Sequence, residues 1–387
     1  MIKIVTVIGA RPQIIKAAAL SRAIRNRFAD SIKEVIVHTG QHYDANMSQV
    51  FFDELGVPKE DYNLNAGSGS HATQTAKMLT GIEEIIMTEK PDALLVYGDT
   101  NSTLAGAIAA SKIHVPVVHV EAGLRSFNKK MPEEINRITC DHCSTLLFSP
   151  TRAGYLNLVK EGFNESNNPP YHINNPKIFH CGDVMFDNSL HFEKVAQKES
   201  TIIDHLQLKN SRFILVTVHR AENTNEKENL NKLFNAFNSL SVRHQVKFII
   251  PLHPRTSKML GVTLDDSLLH VMKKNKMVNI IEPVSFLDMI QLETNAYMIA
   301  TDSGGVQKEA FFFKKPCIIL REQTEWIELV DCGAARLTGA DTDKIIDAYN
   351  YFEQQMGVLK FPDLFGDGKA SEFICEQLLE CFSKKQL

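Results

Sequence analysis

The sequence predicts an α/β protein built from two doubly wound parallel sheets. Short runs rich in Val, Ile and Leu recur along the chain, and each run ends in a polar or glycine-containing turn. Because these runs are continuously apolar, they are typical of strands that are buried on both faces. Helical stretches lie between them, and this repeated strand–helix–strand order indicates parallel sheets covered by helices.

The individual elements follow from these patterns in chain order. The first series of strands is predicted at 2–8, 34–39, 93–98, 115–120 and 145–149. The second series is predicted at 213–218, 247–252, 278–283, 296–301 and 316–321. Helices are predicted between them at 12–27, 73–88, 102–112, 226–240 and 306–313. Two series of similar length indicate two domains.

A polar, proline-containing region at 165–177 separates the two series of strands. Its composition disfavours helix and strand and is typical of a linker. We therefore expect one domain at 1–168 and a second at 169–367. The C-terminal segment 368–387 carries apolar residues on one helical face, and this face must pack against another part of the protein.

Composition excludes several classes of protein. The 387 residues include 42 basic and 46 acidic side chains, whereas nucleic-acid-binding domains are usually strongly basic. No apolar run approaches the roughly 18 residues that a membrane helix needs. The seven cysteines are scattered, as expected of reduced thiols. We expect a soluble, cytoplasmic protein that binds neither nucleic acid nor membrane.

Ligands of such folds bind beyond the carboxyl ends of the strands. Arg11 follows the first strand, where it is either an anion-binding group or an exposed loop side chain. Ser303 suits a helix N-cap, and Gly304 and Gly305 leave N–H groups accessible to phosphate. A cap without a ligand is the alternative, but paired glycines cost up to about 1 kcal/mol each in a helix, which favours phosphate. Glu309, one turn further on, can accept hydrogen bonds from a ribose.

Three carboxylates follow strands or begin a helix, namely Asp99 in YGDTNST, Glu121 in HVEAGLR and Glu133 in MPEEINR. Acidic groups gathered at one edge of a sheet are suited to proton transfer. The structural alternatives are that Asp99 caps a helix and that Glu133 complements a helix dipole. His219 ends the first strand of the second series and is either structural or catalytic.

The usual signatures of metal and dinucleotide sites do not occur in the sequence. No G-x-G-x-x-G, P-loop or H-E-x-x-H pattern is found. Cys140 and Cys143 form a single C-x-x-C without the second pair that a structural zinc site needs. Their helical spacing favours a buried helix face. We expect no metal and no bound cofactor.

The motifs GARPQIIK, TGQH, YGDTNST, HVEAGLRS, MPEEINR, VTVHRAEN, DSGGVQKEA and LREQTE occur in this order. Together they resemble the UDP-N-acetylglucosamine 2-epimerase family, and they extend from residue 9 to about residue 325. The resemblance implies the GT-B-like architecture, in which two Rossmann-like domains face each other across a cleft and the last helix returns to the first domain. Members of this family are commonly homodimers.

The resemblance implies reversible inversion at C2, which converts UDP-N-acetylglucosamine to UDP-N-acetylmannosamine without a nicotinamide. In the family's route, the C1–O bond to UDP breaks as the C2 proton leaves, which gives a glycal. UDP then adds back with protonation on the opposite face. Carboxylates suit the proton transfer, and cationic and N–H groups suit the departing pyrophosphate.

The resemblance also implies roles for individual residues. Asp99, Glu121 and Glu133 match the acid/base carboxylates, with the acid and the base left unassigned. The other matching positions are His219 near the pyrophosphate, the pyrophosphate-binding Arg11, Ser303, Gly304 and Gly305, Glu309 for the ribose, Phe286 for the uracil, and the basic Lys16 and Arg137. Gln41 and His42 match the start of a motif that binds an activating second UDP-sugar, but the residues after them depart from it.

Two departures concern the substrate. Gln13 stands where the familiar bacterial enzyme has a glutamate, and Trp326 stands where it has an arginine. The branch with Thr-Glu-Trp includes enzymes that act on UDP-linked acetamido-uronates or 6-deoxy-sugars, so a modified UDP-sugar is an alternative substrate. The alternative activities are a hydrolysing 2-epimerase, which releases N-acetylmannosamine and UDP, a GT-B glycosyltransferase, and a non-catalytic UDP-sugar sensor.

Overall fold

The computed structural model describes residues 1–40, 56, 58–252 and 254–383. The chain divides into two compact units. The first unit comprises Met1–Asn188 together with Asp363–Leu387, and the second comprises Ser189–Pro362. Each unit is built on a parallel sheet, which confirms the predicted α/β class.

The sheet of the first unit has seven strands in the order β3-β2-β1-β4-β5-β6-β7, and all neighbouring pairs are parallel. The strands are β1 (Ile2–Ile8), β2 (Ile32–His38), β3 (Tyr62–Asn63), β4 (Ala93–Tyr97), β5 (Val117–Val120), β6 (Leu146–Ser149) and β7 (Lys177–His180). The strands β1, β4, β5 and β6 are almost entirely buried, as their continuous apolar sequences predict.

Helices connect these strands. They are α1 (Arg11–Ala23) with a π-helical turn (Ile24–Phe28), α2 (His71–Glu89), α3 (Asn101–Lys112), α4 (Pro132–Cys143), α5 (Arg152–Lys160) and α6 (Val184–Glu199). The starts of α2, α3 and α5 are capped by Ser70, Thr100 and Thr151, whose side chains accept a backbone N–H.

The second unit has six parallel strands in the order β10-β9-β8-β11-β12-β13. The strands are β8 (Phe213–Thr217), β9 (Lys247–Pro251), β10 (Val278–Ile281), β11 (Met298–Thr301), β12 (Cys317–Ile319) and β13 (Ala335–Leu337). The helices are α7 (Ile202–His205), α8 (Ala221–Thr224), α9 (Lys227–His244), α10 (Pro254–Thr263), α11 (Asp266–Lys274), α12 (Phe286–Asn295), α13 (Gly304–Phe312), α14 (Ile327–Asp331) and α15 (Thr342–Gln355).

The division into units differs from the predicted boundary after residue 168. The predicted linker 165–177 lies within the first unit, and β7 starts at its last residue and pairs with β6. The first unit therefore continues to Asn188, inside α6. The short strands β3, β7 and β13 were not predicted, because two to four residues are too few to show a hydrophobic pattern.

The last helix, α16 (Ala370–Phe382), belongs to the first unit and packs against α1. Its apolar face is buried through Ile374, Cys375 and Leu378. Asp187 on α6 accepts hydrogen bonds from the backbone N–H groups of Ala370 at 3.1 Å and Ser371 at 2.7 Å. This carboxylate therefore caps the start of α16 from a distant part of the chain.

Two further features of the described residues bear on function. No described helix has both the length and the apolar character needed to cross a membrane. All seven cysteines are free thiols, and Cys140 is completely buried on α4, as its helical spacing predicts.

Candidate active site

The carboxyl ends of β4 and β5 bring Asp99 and Glu121 to the same edge of the first sheet. Glu121 forms an ion pair with Lys16 of α1, and Asp99 forms one with Arg137 of α4. A Cβ added at Gly98 would lie 3.2 Å from Lys16 Nζ, so the Lys16–Glu121 pair lies directly beside the turn that carries Asp99. Two of the predicted carboxylates and two of the predicted cationic side chains therefore lie together at this edge of the sheet.

The backbone and the charges around these acids are unusual. Glu121 has a φ of +79°, which is costly for a residue with a side chain, and strained backbone of this kind clusters at functional sites. Burial raises the pKa of Asp99 above its ordinary value, although the charges of Arg137 and Lys16 oppose this effect and those of Glu121 and Glu133 reinforce it. A carboxyl group with a raised pKa is suited to exchange protons near neutral pH.

The helix α4 holds the Asp99 turn in place. Asn136 donates hydrogen bonds from its side-chain amide to the Asp99 carbonyl at 2.9 Å and to Asn101 at 3.2 Å. Glu133 is exposed in the first turn of α4, and its negative charge helps to raise the pKa of Asp99. The structure thus brings together all three predicted carboxylates within the first unit.

Glu134, next to Glu133, has a structural role. Its buried carboxylate accepts hydrogen bonds from the backbone N–H groups of Ser126 and Phe127 and from Arg137. Burial acts to raise the pKa of Glu134, but these hydrogen bonds and the Arg137 charge outweigh it and lower that pKa. Glu134 therefore remains ionised and anchors the loop that precedes α4.

A buried charge network lies beneath the same edge of the sheet. His119 Nε2 donates to the Gly98 carbonyl at 2.8 Å, and His119 Nδ1 lies 2.7 Å from Asp141 Oδ1. Asp141 also accepts from the Gly123 N–H at 3.1 Å and pairs with Arg125 at 2.7 Å. The network joins the turn before Asp99 to the turn after Glu121, so it fixes the relative position of these two carboxylates.

The loop after β1 is fixed by close packing at Gly9 and by hydrogen bonds to Gln13. A Cβ at Gly9 would lie 2.1 Å from the hydroxyls of both Thr39 and Ser102, so only glycine fits there. The buried Gln13 side chain accepts from the Gly9 N–H at 2.9 Å and the Ala10 N–H at 3.2 Å. Arg11 is exposed at the first position of α1.

In the second unit, His219 follows β8 and pairs with Asp302, which follows the neighbouring strand β11. His219 Nδ1 lies 3.1 Å from Asp302 Oδ1, and the fully buried Asp302 also accepts from the backbone N–H groups of His219 and Arg220. Burial acts to raise the pKa of Asp302, but these hydrogen bonds and the interaction with His219 lower it. The ionised Asp302 accepts from Nδ1 of His219 and so fixes the orientation of the imidazole ring at the end of β8.

The predicted phosphate loop begins α13. The Ser303 side chain caps the helix by accepting a hydrogen bond from the Val306 N–H. The first N–H groups of a helix have no partner within the helix, so they are able to bind an anion. Gly305 is exposed and has space for a ligand. Gly304 lies against Glu325 and Trp326, because an added Cβ would meet the Glu325 carboxylate and would lie 3.7 Å from Trp326 Nε1.

The remaining predicted residues lie in the second unit or outside the described residues. Phe286 begins α12, and its half-buried ring packs edge-on against Phe192, with 5.0 Å between the ring centres. Glu309 lies one turn into α13 and is partly exposed. Gln41 and His42 lie outside the described residues.

Trp326 stands where the familiar bacterial enzyme has an arginine. It is buried, and the Lys308 ammonium lies 4.3 Å from the centre of its ring.

The described part of the chain contains no group of three His, Cys, Asp or Glu residues arranged to hold a metal.

Sequence reasoning missed the supporting residues His119, Asp141 and Asp302. A signal was available for His119, since a histidine in the middle of an apolar strand must find buried hydrogen-bond partners. Asp302 directly precedes the predicted cap Ser303, but no local pattern indicates that it pairs with His219, which is 83 positions away in the sequence.

The two parallel α/β units define a protein of the GT-B-like class, and comparison with known proteins gives its family. The family model described as UDP-N-acetylglucosamine 2-epimerase matches residues 24–379. The chain is 48% identical to a UDP-N-acetylglucosamine 2-epimerase homolog of Methanococcus maripaludis, over 97% of this chain and 99% of that protein. It is also 48% identical to UDP-2,3-diacetamido-2,3-dideoxy-D-glucuronate 2-epimerase of Pseudomonas aeruginosa, with the same coverage of each chain.

A solved structure supports the same relationship. The crystal structure of the Methanocaldococcus jannaschii UDP-GlcNAc 2-epimerase, in complex with UDP-GlcNAc and UDP, matches with a TM-score of 0.80 and 42% identity. The match covers 98% of this chain and 99% of that one. The chain therefore belongs to the UDP-N-acetylglucosamine 2-epimerase family.

Proposed function

We propose that this protein catalyses the reversible C2 epimerisation of a UDP-N-acetylhexosamine, with UDP-N-acetylglucosamine and UDP-N-acetylmannosamine as the pair of sugars. The observation that carries the proposal is the cluster of Asp99, Glu121 and Glu133 with Lys16 and Arg137 at one edge of the first sheet. The family membership and the related UDP-GlcNAc complex support the same substrate class.

The proposed reaction proceeds by elimination and re-addition. A carboxylate of the first unit removes the C2 proton while the C1–O bond breaks, and UDP leaves with the bonding electron pair. The resulting glycal has a double bond between C1 and C2. UDP then attacks C1, and a carboxylic acid of the first unit delivers a proton to the opposite face of C2.

The second unit supplies the binding groups for UDP in this proposal. The N–H groups of Gly304 and Gly305, together with His219, stabilise the charge that develops on the departing pyrophosphate. Ser303 shapes this loop, and Arg11 is proposed as a further pyrophosphate-binding cation. Phe286 contacts the uracil, and Glu309 accepts hydrogen bonds from the ribose.

The experiment is incubation of the protein with UDP-N-acetylglucosamine in D2O, followed by proton NMR. The expected result is a lasting mixture of two UDP-sugars with deuterium at C2. Release of free N-acetylmannosamine would identify a hydrolysing enzyme. A requirement for a sugar acceptor would identify a glycosyltransferase, and binding without exchange would identify a sensor.

The same assay tests the residues. We expect Asp99→Asn, Glu121→Gln and Glu133→Gln each to lower the exchange rate by roughly 10²- to 10⁴-fold, the usual contribution of a general acid or base. UDP binding should stay close to that of the wild type. Glu228→Gln is the matched control, because the Glu228 side chain is 79% exposed on α9. Wild-type exchange in all three site variants would refute the assignment.

A modified sugar is the second candidate substrate, and one observation favours it. The relative that acts on a UDP-linked diacetamido-glucuronate is as similar in sequence to this chain as the UDP-N-acetylglucosamine 2-epimerase homolog. The exchange assay should therefore be run on both sugars. A kcat/KM at least tenfold higher for the uronate would assign the acidic sugar as the substrate.

We also propose that the protein acts as a cytoplasmic homodimer. The seven free cysteines are consistent with a reducing compartment, and homodimers are common in the family. Light scattering coupled to size exclusion should give twice the chain mass of 43.5 kDa. Gln41 and His42 are candidate allosteric residues, so a sigmoidal dependence of the exchange rate on UDP-sugar concentration would identify activation by a second UDP-sugar, and a hyperbolic dependence would exclude it.

A further inference from the structure

A fully buried carboxyl group lies beneath the proposed ribose-binding residue. Glu293 is in the last turn of α12, and α12 packs against α13, which carries Glu309. The Glu293 side chain has no exposed surface, whereas Glu309 is partly exposed. Glu309 acts on the Glu293 carboxyl group through its charge and through a side-chain hydrogen bond. The proposed function does not use Glu293.

The surroundings of Glu293 determine its protonation state. Both of its carboxyl oxygens are sealed from solvent, and no N–H or O–H donor among the described residues reaches them. Burial, followed by the charge of Glu309, raises the pKa of Glu293 well above its ordinary value. Two neighbouring carboxyl groups share one proton when one of them is fully buried, because a second negative charge beside the first would be strongly repelled.

The proton resides on the more deeply buried partner. A protonated carboxyl group has one O–H donor, and an ionised carboxylate is an acceptor only. Glu293 therefore donates, and Glu309 accepts and keeps the negative charge. Such a charge-assisted hydrogen bond is short and directional, so it restricts the rotation of the Glu309 carboxylate.

We propose that Glu293 is a positioning residue that donates a hydrogen bond to one carboxylate oxygen of Glu309 and thereby turns the other oxygen toward the ribose hydroxyls of UDP. This inference rests on the proposed function, in which Glu309 binds the ribose. It predicts that the contribution of Glu293 to UDP affinity depends on the ribose hydroxyls.

Two variants separate the hydrogen bond from packing. Glu293→Gln keeps a donor of the same shape, and Glu293→Met keeps the volume without a donor. The Kd of each is measured by calorimetry for UDP and for 2′,3′-dideoxy-UDP. We expect Glu293→Gln to bind UDP within about twofold of the wild type, because an amide N–H replaces the carboxyl O–H. Glu293→Met should bind UDP about tenfold more weakly and dideoxy-UDP with unchanged affinity.

Several results would overturn the inference. They are wild-type UDP affinity in Glu293→Met, equal losses for UDP and dideoxy-UDP, or a loss in Glu293→Gln as large as in Glu293→Met. If Glu293→Met does not fold, infrared difference spectroscopy between the wild type and Glu293→Gln tests whether Glu293 is protonated. We expect the band of a protonated carboxylic acid in the wild type to be absent from Glu293→Gln, and its persistence in that variant would refute the inference. Deuterium exchange at C2 by the wild-type protein tests the proposed function separately, because these binding measurements require no turnover.

Discussion

His119 Nδ1 lies 2.7 Å from Asp141 Oδ1, and neither side chain has any exposed surface. Burial acts to lower the pKa of His119, but its neighbours Cys140 and Asp141 outweigh this and raise that pKa well above its ordinary value. Burial acts to raise the pKa of Asp141, but the hydrogen bond from His119 and the charges of His119 and Arg125 lower it. The pair is therefore imidazolium and carboxylate, and it joins the turns that carry two candidate catalytic acids.

We expect His119→Gln to lower the free energy of unfolding by about 3 kcal/mol, because it leaves a buried carboxylate without one of its charged partners. Urea denaturation of the full chain, in the transition that unfolds the first unit, measures this change in free energy. The double variant with Asp141→Asn should lose less than the sum of the two single variants. Additive losses would contradict a direct interaction between the two side chains.

The same pair makes stability depend on pH. The pKa of His119 is raised on folding, so its contribution is fully present below the unfolded value of about 6.5 and is lost as pH rises through the folded value. The pKa of Asp141 is lowered, so its contribution is present above about 3.9 and is lost as pH falls through the folded value. The stability difference between the wild type and His119→Gln should be largest between about pH 4 and 6.5. A difference that grows above pH 7 would contradict this assignment.

Gln13→Glu should destabilise the first unit by about 1–3 kcal/mol, although glutamate has almost the same shape. The Gln13 amide donates to the Tyr97 carbonyl and to Thr103, each at 3.0 Å, and a carboxylate cannot donate to either. Gln354→Glu, at an exposed position of α15, is the control. Equal unfolding midpoints in urea for the two variants would show that these donations do not matter.

Gly305→Ala should weaken UDP binding by about tenfold while leaving the fold as stable or more stable. The added Cβ meets nothing closer than Ser303 Oγ at 3.8 Å, and alanine is the better helix former. The loss would come from the approach of the pyrophosphate to the Gly305 N–H. Gly261→Ala on α10 is the control, since it also has open space around it. Unchanged calorimetric affinity in Gly305→Ala would remove this glycine from the phosphate site.

Asp187→Ala should lower the stability of the first unit by about 1 kcal/mol, the usual cost of a lost helix cap. The variant removes the acceptor of two N–H groups at the start of α16. Limited proteolysis should release the C-terminal helix faster than in the wild type. Asp363→Ala, at an exposed position, should behave like the wild type. Identical cleavage rates in both variants would show that the cap is not needed.

The sequence predicted the central strands of both sheets well because these strands are buried on both faces. The run Ile2–Ile8 was predicted at its observed bounds, since continuous apolar residues leave little ambiguity. The boundary between the units was harder to predict, because the strand Lys177–His180 has only four residues and only Ile178 among them is buried. This strand joins the first unit by pairing with Leu146–Ser149, and a pairing between distant segments cannot be read from the local sequence.

The carboxylates of the candidate site were accessible to sequence reasoning because Asp99 and Glu121 each follow a strand and Glu133 begins a helix. The supporting residues were less accessible from local pattern. Lys16 and Arg137 were named only through the family resemblance, and Asp141 was missed, because all three lie on helices that reach the site only through tertiary packing. Glu293 gave no signal at all. A glutamate near the end of an amphipathic helix is ordinary, and only the packing of α12 against α13 reveals that it is buried.

The first unit is assembled from both extremes of the polypeptide, with α16 covering α1. During synthesis, a nascent chain that has emerged only as far as residue 362 still exposes the apolar surface of α1. Helix α16 must therefore be synthesised before that surface is covered. The first unit consequently completes its folding only after every residue of the second unit has been synthesised.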